Sequence, residues 1–77
     1  PNGYPAARAG HYWVDRARAE VWTARHAEAM ESLETARRVA SDQTRYHPSV
    51  HETVAALLRA KAKAPDSLIK FAQWCGV

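Results

Sequence analysis

The sequence predicts an all-α fold, an αα-hairpin followed by a third helix and a short C-terminal helix, on three observations. Apolar residues recur at three- and four-residue spacing through most of the chain. Alanine, the residue with the most favourable helix propensity, occurs 16 times in 77 residues. The few β-branched residues never alternate with polar ones over the length of a strand.

Residues 1–9, "PNGYPAARA", carry two prolines and a glycine without an apolar period and read as a lead-in or linker, leaving 10–77 as one helical domain. The first helix is expected over Gly10–Thr23, with Val14, Ala17, Val21 and Ala24 on one stripe, Trp13 beside it and Trp22 at its edge. A break at Ala24–His26 contains no glycine or proline to enforce it. The second helix, Ala27–Ser41, repeats Ala29, Met30, Leu33, Ala36, Val39 and Ala40 at helical spacing. Its charges agree: Glu28 and Glu31 lie early, Arg37 and Arg38 late, and Glu34 stands four before Arg38. Neither stripe can be buried alone, so the two helices should pack together, each fully buried Leu or Met contributing roughly 1.5–3 kcal/mol.

"SDQTRY", 41–46, reads as a polar bridge, with Tyr46 expected to cover the hairpin's apolar edge. Pro48 can open a third helix as its first residue, where its missing N–H costs nothing. That helix carries Val50, Val54, Leu57 and Leu58 and should stop near Lys63, because Pro65 disfavours helical geometry just before it. Asp66 is the expected N-cap of a last helix, Ser67–Cys75, ended by Gly76. Leu68, Ile69, Phe71, Ala72, Trp74 and Cys75 make it apolar nearly all round, so it should be sandwiched.

No apolar run approaches the roughly 20 residues of a membrane span, and no charged-then-apolar leader opens the sequence, so a cytoplasmic chain is expected. The single cysteine, Cys75, cannot form an internal disulfide and suits a reducing compartment. Net charge is +3, but 11 basic residues are interleaved with 8 acidic ones, which gives only a slight pull towards anionic partners.

Side-chain chemistry points away from catalysis. His47 and His51 have the i, i+4 spacing of a ligand pair, yet zinc needs at least three protein ligands and no third is tied to them, so they read as a helix entry and no metal is expected. Arg59, Lys61 and Lys63 could meet phosphates, but cations at a helix end also offset its dipole. Trp13, Trp22 and Trp74 could wall an effector pocket; core packing is the stronger expectation in so small a domain. Cys75 is expected to be a buried thiol. No glycine-rich phosphate loop, nucleophile elbow or paired acidic motif occurs, so neither enzymatic activity nor a cofactor is expected.

The hairpin resembles a tetratricopeptide unit: Trp13, Ala17, Ala29, Leu33 and Ala36 match that repeat in register, with Ser41 at its closing proline. Arg16 stands at a position normally Leu, Glu20 at one normally aromatic and Ala24 at one normally Gly. "HYWVDRARA", "LETARRVASDQTRYHPSVHETVAALLR" and "DSLIKFAQWCGV" further resemble the C-terminal tetratricopeptide-like region of bacterial helix-turn-helix transcriptional regulators of the XRE type. The resemblance implies a fragment of a longer regulator that contacts DNA through an N-terminal domain absent from this chain. Its own role would be to bind a peptide, a protein or a small effector, or to form a homodimer. First helices build most of the inner surface of such regions, which assigns His11, Val14, Arg18 and Trp22 to a partner groove. The rival expectation is direct DNA binding through the basic helix ends, with "DSLIKFAQWCGV" as a truncated helix-turn-helix.

Overall fold

Helices form where the apolar period places them, and backbone hydrogen bonds then set their ends. The computed structural model describes residues 6–60 and 63–77. Among these residues there are five α-helices and no strand: α1 (Ala6–Trp22), α2 (His26–Val39), α3 (Ser41–Tyr46), α4 (Pro48–Ala60) and α5 (Asp66–Cys75). None is long and apolar enough to cross a membrane.

The all-α expectation holds, with corrections at the boundaries. Of the expected lead-in, 1–5 lies outside the described residues, while 6–9 is already helical because alanine propensity prevails there without an apolar stripe. Gly10 therefore falls inside α1, where it is buried. A Cβ on it would meet the Ala40 Cβ at 2.7 Å and Gln43 Oε1 at 2.8 Å, so the missing side chain lets α1 touch the start of α3.

α1 ends through backbone bonds from Arg25 N–H to the Glu20 carbonyl (2.7 Å) and from Ala24 N–H to that of Val21 (3.1 Å). This pairing needs a left-handed residue, usually glycine, and Ala24 supplies it at φ 61°. Ala24 is thus exposed in the turn and not on the buried stripe. α5 ends the same way, with Val77 N–H on the Ala72 carbonyl at 2.9 Å and Gly76 at φ 82°.

The "SDQTRY" bridge is a helix. Ala40 leaves helical geometry for one residue (φ −151°, ψ 69°), and the ladder then restarts, with Asp42 in the first turn of α3 and Arg45 in the last. Thr44 is its one buried residue, and its hydroxyl donates to the Ala36 carbonyl at 3.0 Å, tying α3 to the end of α2. Tyr46 does not cover the hairpin; it is 68% exposed beneath the Arg45 guanidinium.

Pro48 opens α4 as expected, and His47 before it is extended (φ −75°, ψ 125°). α4 is described as far as Ala60 and Lys63 is no longer helical, while residues 61 and 62, including Lys61, lie outside the described residues. Pro65 rather than Asp66 is the N-cap of α5; its carbonyl accepts from Leu68 and Ile69 N–H, and Asp66 is the first helical residue.

One core joins the elements. On α1 and α2 it uses small side chains, Ala17, Ala29 and Ala36 beside Val14 and Leu33, which let the two helices approach closely. On α4 and α5 it uses Val50, Val54, Leu57, Leu68, Phe71, Ala72 and Cys75. Each fully buried large side chain contributes roughly 1.5–3 kcal/mol. Val39, expected on the buried stripe of α2, is exposed, and so is Ile69 on α5, which is therefore not sandwiched on every side. Cys75 is buried as expected, and desolvation pushes its thiol pKa up, which favours the protonated form.

Candidate functional site

His11, Val14, Arg18 and Trp22 follow one side of α1, the side nearest α4. The structure distributes them unequally. Val14 is 1% exposed and belongs to the core, so it is not available to a partner. His11 is exposed near the start of α4, its ring edge-on to that of His47 at 5.4 Å. Arg18 and Trp22 line a valley of about 370 Å³ between α1 and α4, with Val21, Thr53 and Ala56 beneath and Glu52 and Arg59 opposite.

The valley arises from the register of two helices. Val14, Ala17 and Val21 turn the adjoining face of α1 inward, which leaves Arg18 and Trp22 on the lip. On α4, burial of Val50, Thr53, Val54 and Leu57 leaves Glu52 and Arg59 on the opposite lip. Small Ala56 keeps the floor low. The sequence allows Trp22 either core packing or a place in a partner groove, and its 79% exposure removes the first. An apolar ring of that size contributes little to folding when left in water.

None of Arg18, Glu52 and Arg59 forms an ion pair or side-chain hydrogen bond with another described residue. The valley therefore offers two unengaged guanidinium groups, one carboxylate and an open indole face. Arginine beside an exposed aromatic suits carboxylate recognition and ring stacking. The repeat resemblance assigns Arg18 and Trp22 to a partner groove and helix-end chemistry accounts for Arg59; the crossing of α4 over α1, which no local pattern encodes, brings all three to one valley.

The other chemically loaded residues are engaged in structure. His47 Nδ1 accepts from Ser49 N–H at 3.1 Å, so the histidine caps the helix that Pro48 opens. His51 Nε2 lies 2.8 Å from the Arg45 carbonyl, and since a carbonyl only accepts, that nitrogen carries the proton. Among the described residues no group of three or more His, Cys, Asp or Glu gathers where a metal could bind. Trp74 packs edge-on against Phe71 at 5.2 Å, with the Arg37 guanidinium over its ring at 4.5 Å.

On the opposite side of α1 from Trp22, about 760 Å³ of open cleft runs along α2, bordered by Trp13, Arg16 and Glu20 on one side and Leu57, Pro65 and Leu68 on the other. Glu20 holds this region together. Its buried carboxylate accepts from Ser32 Oγ at 2.6 Å and from Arg16 Nε at 3.3 Å. Hydrogen bonds to Tyr12, then to Glu20, raise the Arg16 pKa above its ordinary value, so it is a permanent cation. α2 buries Ala29, Ser32, Leu33 and Ala36, so its opposite face stands outward as a ridge that borders this cleft and carries Glu28, Glu31, Glu34 and Arg38. Comparison with protein-family models, with curated proteins and with solved structures finds no match for this chain.

Proposed function

We propose that this chain is a non-catalytic interaction domain, the tetratricopeptide-like region of a bacterial XRE-type transcriptional regulator, which docks a partner in the α1–α4 valley. The observation that carries this reading is Trp22, four-fifths exposed between two arginines that no described residue engages. The turn geometry supports the repeat resemblance: Ala24, at the position where the repeat normally has glycine, adopts the left-handed conformation that glycine favours. A partner held in the valley would act on a tethered DNA-binding domain by binding one arrangement of the two more tightly than another.

A display selection of random peptides against the immobilised domain tests the reading. Selected peptides should lose binding to the Arg18→Ala, Trp22→Ala double variant. Peptides that bind the wild type and the double variant equally would refute it. Direct DNA binding is the second reading, favoured by Arg18 and Arg59 on facing lips of one valley. It requires steeply salt-dependent affinity of the isolated domain for duplex DNA, and no binding at low salt removes it.

A further inference from the structure

The projecting ridge and the valley carry matching charge orders. On α2, Glu31 and Arg38 are both exposed and lie seven residues apart, about two helical turns, so they share a face. On the lip of the valley, Glu52 and Arg59 on α4 are also exposed and have the same spacing and the same order of sign. If α2 of one molecule lies antiparallel along α4 of another, Glu31 meets Arg59 and Arg38 meets Glu52. Both pairs form in a single register. Shape agrees as well as charge, since α2 turns Glu31 and Arg38 outward, opposite its buried Ala29, Ser32, Leu33 and Ala36, while the α1–α4 face is a trough with an Ala56 floor.

We infer that the occupant of the valley is a second copy of this chain, whose α2 ridge enters it antiparallel to α4 and packs against Trp22. The inference rests on the valley being a docking site and names its partner. Ridge and trough are different surfaces of one molecule, so the contact is head-to-tail. Such a contact leaves a free ridge and a free trough at the ends and propagates beyond the dimer unless it closes into a ring. Arg18, on the opposite lip, adds a second cation facing the acidic side of the ridge, where Glu28 and Glu34 flank Glu31.

Charge reversal separates this arrangement from any other use of the valley. Sedimentation equilibrium of the chain at low salt should show mass rising with concentration past that of a dimer, and falling as salt screens the pairs. Glu31→Arg alone and Arg59→Glu alone should each weaken association at least about tenfold, because each sets like charges opposite one another. The double variant carrying both changes should associate like the wild type, and so should an equimolar mixture of the two single variants. That rescue also excludes misfolding as the cause of the single-variant loss. A wild type that stays monomeric at millimolar concentration, or association indifferent to the reversals, overturns the second copy as occupant. Valley-binding peptides selected as above would then still uphold the docking reading, whereas absence of both would sink the two together.

Discussion

Trp74 and Trp22 are the same residue in opposite circumstances. Trp74 lies half-buried on the α5 edge of the core, with Phe71 at its ring edge and Arg37 over its face. Trp22 closes α1 and stands in solvent beside two arginines that nothing in the described structure engages. The difference teaches where the molecule invests for stability and where it does not. An indole held by the core is explained by folding alone, whereas an indole excluded from it calls for a partner.

The comparison can be broken or sharpened by substitution. Val54→Asp has the largest expected effect, because it puts a charge at a fully buried position in the core against which Trp74 packs. The domain should be unfolded at 25 °C, and a cooperative thermal melt like that of the wild type would break the comparison at its base. Trp74→Ala should cost about 2–3 kcal/mol in urea unfolding, below the 3–5 kcal/mol typical of a fully buried tryptophan. Ser32→Ala leaves Glu20 Oε1 without its donor and should cost about 1–3 kcal/mol by the same measurement. Ala24→Gly relieves the left-handed turn and should gain about 0.5–1 kcal/mol. Trp22→Ala should change stability by no more than about 0.5 kcal/mol, as for surface sites without special contacts; a loss as large as that of Trp74→Ala would remove the contrast between the two rings.

Much of the fold is legible in the sequence, because Val14, Ala17, Leu33, Ala36, Val54, Leu57, Leu68 and Phe71 recur with the helical period and are all buried. What stays hidden has physical reasons. α3 buries only Thr44, so no apolar period announces it, and its position depends on a hydroxyl bond to a carbonyl eight residues earlier. The α1–α2 turn depends on backbone bonds closed by an alanine in a conformation its type seldom adopts. Glu20, a departure from the repeat pattern when read alone, is explained by Ser32 twelve residues on. At the candidate site, the repeat resemblance assigns Arg18 and Trp22 to a partner groove, whereas Arg59 joins them only through the packing of α4 across α1.

The three indole N–H resonances of the 15N-labelled chain offer the most direct test of docking at the valley. Adding a display-selected peptide should shift the Trp22 signal and leave that of Trp74 in place. A peptide that binds while shifting Trp74 or Trp13 and leaving Trp22 unmoved would contradict it.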